Sequence, residues 1–254
     1  MAPANRSRSA APSFADWDVG AYASYRPRYP ESLIDTVSAR CSRHEAAWDC
    51  AAGSGAASTA LATRFRRVVA SGINREQIGA APADQYFARL ACDGMAAPFR
   101  DRSFDLVVVA QALHWFAVPE FFAEVSRVAA GGGVLAAWTY ELFRVSPAVD
   151  AVIHDYYSNV VGSHWPAERR HIEEEYASIN FPFATRETRR AEMSRTWTAR
   201  QTLAYLGTWS ATGRYRDAHG TDPLLALSEA LTTAWGTESR PVVWPITLQL
   251  CDVP

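Results

Sequence analysis

Short apolar runs alternate with helical patterns from Trp48 to Trp138. Ala46 to Cys50 is an apolar run carrying Asp49, followed by a glycine-containing turn. Ser58 to Phe65 reads as a helix and Arg67 to Ser71 as a second strand. Gln77 to Tyr86 has a weak helical pattern, followed by a strand ending near Cys92. Asp105 to Ala110 is a continuous branched apolar run, the mark of a strand covered on both faces. Pro119 to Ala129 gathers Phe121, Phe122, Val125 and Val128 on one side, as an amphipathic helix does. Gly131 to Gly133 breaks the pattern as a turn, and Val134 to Trp138 resumes as a strand. Repeated strand-helix-strand units predict an α/β, Rossmann-like, doubly wound and mostly parallel sheet.

The rhythm changes after Tyr140. Val149 to Val161 reads as a helix, followed by a polar stretch rich in Arg and Glu to about Arg195. Thr198 to Ser210 and Pro223 to Ala234 read as helices, and Val242 to Leu250 as an apolar strand that joins the sheet edge. The expected organisation is a tail over 1–15 and one domain over 16–254. Its core spans about 30–140 with a closing strand near 242–251, and a helical cap over about 141–235 lies above the carboxyl ends of the strands.

Composition narrows the classes. The chain has 254 residues, 48% hydrophobic, which can fill a sizeable core. A formal net charge of −2 provides no footprint for nucleic acid or an anionic membrane. All 25 basic residues are Arg, whose planar fork suits carboxylates. Cys41, Cys50, Cys92 and Cys251 form no CxxC pair and no metal-ligand spacing with His, so no metal is expected and a reducing compartment is favoured. No apolar run has the length of a membrane helix, and the first dozen residues lack the apolar centre of a secretory signal. The expected location is cytoplasmic, with a mitochondrial presequence as the alternative.

Trp48-Asp49-Cys50-Ala51-Ala52-Gly53-Ser54-Gly55 leaves the first strand and opens a helix, so backbone amides approach a ligand closely. Dinucleotide sites want G-x-G-x-x-G and an acid about 20 residues later. Here the acid, Asp49, precedes the glycines instead.

That segment, with Val68-Val69-Ala70-Ser71, Phe104-Asp105-Leu106-Val107 and Gln111-Ala112-Leu113-His114-Trp115-Phe116, resembles the class I S-adenosylmethionine-dependent methyltransferases, and in particular the trans-aconitate methyltransferase-like group. The likeness begins at Tyr22-Ala23-Ser24-Tyr25-Arg26-Pro27 and runs through Trp165-Pro166 and Thr208-Trp209-Ser210-Ala211 to Val243-Trp244-Pro245. It implies a seven-stranded sheet, S-adenosylmethionine as cofactor and a small-molecule acceptor. Asp49, Ala51, Gly53 and Gly55 would surround the methionyl end of the cofactor, and Asp93 and Gly94 would meet the adenine. Gln111 to Trp115 would line the wall near the sulfonium. Tyr22, Tyr25, Arg26, His114 and Trp115 would contact the substrate.

Three positions depart from the family pattern. Ala51 replaces the first glycine, Gly72 stands where an acid bridges the ribose hydroxyls, with Asn74 as a substitute from the next turn, and Met95 occupies an often acidic position. His114 is the candidate base for a hydroxyl or carbon acid; a carboxylate acceptor needs none. Trp115 and Trp138 are candidates to wall a sulfonium, with core packing the commoner fate for Trp138. Arg26, Arg144, Arg169, Arg170, Arg200 and Arg214 are candidates to fork onto a substrate carboxylate. The substitutions at Ala51 and Gly72 keep two alternatives open. In one the fold serves as a binding or scaffold module with a protein partner; in the other the pocket does non-methylating chemistry.

Overall fold

The computed structural model describes residues 27–80 and 87–254. Tyr22, Tyr25 and Arg26, and the expected tail, lie outside the described residues.

Chain order begins with helix α1 (Glu31–Arg40), unforeseen in the pattern, which buries Leu33, Ile34 and Val37. Glu31 in its first turn and Arg40 in its last complement the helix dipole. Then follow β1 (Ala46–Cys50), α2 (Ala56–Leu61), β2 (Arg67–Gly72), α3 (Arg75–Ala80), β3 (Phe87–Ala91), β4 (Phe104–Ala110), α4 (Pro119–Val128) and β5 (Ala129–Tyr140). The second half comprises α5 (Pro147–Asp155), α6 (Arg169–Glu173), β6 (Arg186–Trp197), α7 (Ala199–Gly207), α8 (Ser210–His219), α9 (Pro223–Trp235) and β7 (Arg240–Asp252). Thr198 and Gln201 close a capping box at the start of α7. No helix among the described residues is long and apolar enough to cross a membrane.

The seven strands run in the order β3-β2-β1-β4-β5-β7-β6, parallel from β3 to β5 and antiparallel at β5–β7 and β7–β6. β1 lies between β2 and β4, so the chain winds one way from β1 and the other way from β4. The crevice beyond the carboxyl ends of this central pair is where open α/β sheets hold ligands. Asp49 sits there, opposite Ala70 on one side and Val108 on the other.

Three expectations change. β7 is an inner strand between β5 and β6, so the expected edge strand is instead covered by one that was not foreseen. β6 occupies part of the polar stretch assigned to the cap, and its exposed Arg186, Arg189, Arg190 and Arg195 blunt an open edge. The glycine run is not a turn ahead of the strand but part of it. Gly132, at φ 75°, lies in a bulge inside β5, where the register moves from Phe104↔Ala129 to Leu106↔Val134.

Alternate side chains feed two cores. One face gathers Leu33, Leu61, Val108, Ala136 and Trp138 with Trp209, Leu231, Trp235 and Trp244. The other packs Trp48, Val107, Val109 and Leu135 on Phe121, Phe122, Val125 and Tyr176.

Candidate active site

Asp49 is fully buried near the end of β1. Its Oδ2 accepts a 2.5 Å hydrogen bond from Ser58 on α2, while Oδ1 has no donor. Burial raises its pKa to about 7 against the opposing help of Ser58. A carboxylate one donor short, beneath a glycine turn, fits a ligand that brings positive charge. The turn itself is tight: Ala51 stands at φ 58°, Gly53 at 56° and Gly55 at 79°, with Gly55 N–H bonded to Ala52 O at 2.9 Å. Ala52 N–H reaches across to Ser71 O on β2 at 2.8 Å. Ala51 therefore pays a left-handed conformation that its glycine counterpart adopts freely.

The loop after β3 closes on the same turn. A Cβ at Gly94 would stand 2.6 Å from Cys50 Sγ, so only glycine lets these segments approach. Asp93 Oδ1 accepts from Met95 N–H at 2.9 Å. Gly72 at the end of β2 is different: an added Cβ would meet only Ile78 Cδ1, at an ordinary 3.7 Å. Asn74 precedes α3, its carbonyl accepting from Ile78 N–H at 3.1 Å. Ile73, Met95 and Val118 are three of the four exposed large hydrophobics among the described residues, and they follow β2, β3 and β4. Apolar surface is thus left open along the carboxyl edge.

Gln111 follows β4 at φ 56°. Its Oε1 accepts from Thr139 Oγ1 at 2.9 Å and from Tyr140 N–H at 2.7 Å, and its Nε2 donates to Tyr140 O at 3.2 Å. The side chain is committed to clasping β4 and β5 together, which leaves its backbone, rather than its amide, for any ligand.

His114 and Trp115 lie in a short 3-10 turn, Leu113–Trp115, with ring centroids 4.6 Å apart. His114 is buried, and its Nδ1 has no partner. Burial, then Arg169 and His171, lowers its pKa to about 3, so the imidazole is neutral at physiological pH and a poor proton acceptor. Of the two roles expected for His114, base or hydrogen-bonding group, these surroundings suit the second better. Trp138 is fully buried, edge-on to Tyr29 at 5.2 Å, which makes it core.

Sequence reasoning missed Tyr176. It is fully buried on the same side as His114, and its hydroxyl has no hydrogen-bond partner although Thr139 and the backbone of Leu113 and His114 are close. Glu175 and Tyr176 stand at φ 54° and 63°. Nothing in their residue types signals that conformation.

With this geometry in view, the profile of the methyltransferase domain matches residues 48–137. A Dictyostelium discoideum protein, designated a methyltransferase by inference, is 31% identical over 222 residues, 85% of this chain and 84% of its own length. A structure from Anaeromyxobacter dehalogenans, described by inference as a type II methyltransferase, superposes with a TM-score of 0.83 at 38% identity, covering 90% of this chain and 98% of that one. A Bacillus subtilis structure with a TM-score of 0.52 and 14% identity, covering 87% and 97%, shares the fold alone.

Proposed function

Because the chain belongs to the class I S-adenosylmethionine-dependent methyltransferases, we propose that this site methylates a small molecule bearing a carboxylate. The observation that carries the reading is an electrostatic division of the crevice. Asp49, with its donorless oxygen, lies beneath the glycine turn. Arg169 and His171 lie around the neutral His114 after β4. A cationic cofactor suits the first half and an anionic acceptor the second.

The bound cofactor supplies an electrophilic methyl group on a sulfonium. The chain's own task is to hold the acceptor in line with it and to shape the field around both. Asp49 would hold the ammonium end from below the turn, and Gly53 and Gly55 would let the backbone approach. Ile73 and Met95 offer apolar contact beside Asp93 and Gly94, where the adenine is assigned. A carboxylate acceptor is already ionised at neutral pH, so His114 need not remove a proton. It orients an oxygen instead. The trans-aconitate-like likeness supports an acidic acceptor in the same sense.

A second reading, a fold retained as a binding module, is favoured by Gly72 and by the left-handed Ala51. Calorimetry with S-adenosylmethionine, then mass detection of one added methyl group on a panel of carboxylic acids, separates them. Binding followed by transfer supports the enzyme; no heat at millimolar cofactor removes it.

A further inference from the structure

We infer that β6 is the interface of a homodimer. Each copy adds its outermost strand antiparallel to that of the other, about a two-fold axis at Ala191, so that two seven-stranded sheets join into one.

β6 ends the sheet. One of its edges is bonded to β7 from Arg186↔Cys251 to Trp197↔Arg240, with no break in register. No other strand, and no turn or loop backbone, bonds to β6 among the described residues. Along the opposite edge of this 12-residue strand, a row of N–H and C=O groups is left for water. Such a row is a template for another strand, and β6 is roughly twice the usual strand length.

The charges along β6 select the partner. Directly opposite residues of an antiparallel pair point to the same face, so a two-fold axis normal to the sheet sets one residue against itself. With the axis at Ala191, Glu187 faces Arg195 of the second copy and Arg190 faces its Glu192, each twice by symmetry. Thr188 faces Ser194, Arg186 faces Thr196 and Arg189 faces Met193. No like charges stand opposite one another. An axis one residue earlier sets Arg190 against itself; one residue later it sets Glu192 against itself and Arg189 against Arg195. An axis at Arg189 faces that arginine with its copy, and an axis at Met193 matches no opposite charges at all. The arginines that deter a foreign strand are thus answered by a strand with acids at the spacing of Glu187 and Glu192, which a second copy has.

The ion pairs within each chain fit the same arrangement. Glu192 and Arg195 are exposed, and neither has a hydrogen-bond or ion-pair partner among the described residues. Their counterparts are already oriented. Glu187 pairs with Arg189, and Arg190 pairs with Glu175 and, at 3.8 Å, with Glu141. Each contact across the axis therefore brings an unengaged charge to one that its own chain holds in place. β6 and β5 both run antiparallel to β7, so the carboxyl edges of the two joined sheets point in opposite directions. The two crevices then open on opposite rims, and β5 and β7 separate each from the interface.

Sedimentation of the full chain over a range of concentrations tests the inference. Expected is a species of twice the 28.0 kDa of one chain. Glu187→Arg sets two arginines opposite each other and Arg195→Glu sets two acids, so each variant alone should dimerise about tenfold more weakly or worse. An equimolar mixture of the two variants should regain the dimer, because every Arg then meets a Glu. The double variant Glu187→Arg with Arg195→Glu should associate as the wild type does. Both recoveries separate lost complementarity from lost folding, since a misfolded chain is rescued by neither. A single-chain mass at high micromolar concentration overturns the inference. So does a dimer that neither single variant weakens, and so does weakening that both the mixture and the double variant fail to relieve.

Discussion

At the scale of single residues, Asp49 and His114 shape the pH dependence of stability in opposite directions. The pKa of Asp49 is raised to about 7 in the fold, above its ordinary value of 3.8. The folded state therefore binds the extra proton between those values, and stability from this group rises as pH falls from about 7 to 4. His114 is lowered from 6.5 to about 3, so the unfolded chain binds the proton first and stability falls over nearly the same window. Urea unfolding in the absence of cofactor should show opposite tilts when each is removed. Relative to wild type, Asp49→Asn should lose stability steadily on acidification from pH 7 to 4, and His114→Gln should gain it. Parallel curves for both variants would mean that neither group is buried as described.

The departures in the cofactor motif yield a second residue-scale expectation. Ala51→Gly relieves a left-handed alanine and should stabilise the fold by about 1 kcal/mol. Gly72→Asp has room at Cβ, and a restored hydrogen bond from a carboxylate to ribose hydroxyls is worth about 1.5–3 kcal/mol. That corresponds to roughly tenfold to hundredfold tighter S-adenosylmethionine binding by calorimetry. An unchanged dissociation constant would place the ribose away from Gly72.

Between elements, α4 controls the loop that follows β3. Glu124 Oε1 accepts from Ala97 N–H at 2.9 Å. Arg127 donates to Ala97 O at 3.0 Å, to Phe99 O at 2.7 Å, to Asp101 at 2.6 Å and back to Glu124 at 2.6 Å. This brace fixes the segment that begins at Asp93 and Gly94 without touching the crevice. Arg127→Ala should cost about 2–3 kcal/mol of stability, since it leaves the buried Glu124 short of its cation. It should also weaken cofactor binding roughly tenfold, the equivalent of about 1.4 kcal/mol. If the dissociation constant holds while stability drops, the loop is positioned by other contacts.

The same scale explains what could be read along the chain. β1 and β4 were legible because central parallel strands are apolar on both faces, and Asp49 was legible because acid and glycines are contiguous. β6 was not: on this outermost strand only Met193 and Trp197 are buried, too few to mark an alternation, and its arginines resemble a wet helix. The glycine bulge in β5 and the inner position of β7 depend on pairing partners distant in sequence. Trp165 and Arg169 lie four residues apart, but Trp209 reaches them from a distant segment, so the full cluster has no local signature. Tyr176 owes its burial to a backbone conformation that its residue type does not announce.

Across the whole molecule, the cap does not have a core of its own. The cluster that contains Trp209, Leu231 and Trp235 from the second half is continuous with Leu33, Leu61, Val108 and Trp138 from the sheet. β6 lies between cap helices in sequence yet pairs along its full length with β7, which also pairs with β5. The carboxyl end is tied back by Val253 N–H to Gly133 O at 2.9 Å and by the ion pair of Asp252 with Arg40 on α1. Cap helices that melted first would uncover the part of this shared cluster that they pack on, and the hydrophobic cost of that exposure opposes a separate transition. Tryptophan fluorescence weights both halves, because Trp48 and Trp138 sit on central strands while Trp209 and Trp235 sit on the far side of the shared core. Far-ultraviolet circular dichroism weights the helices. The two signals should trace one coincident unfolding curve in urea, and saturating S-adenosylmethionine should move that curve as a unit, by RT ln(1 + [L]/Kd). A helical signal lost at lower urea than the fluorescence would mean that the cap folds independently of the sheet, and the acceptor half of the crevice would then be able to open without disturbing the cofactor half.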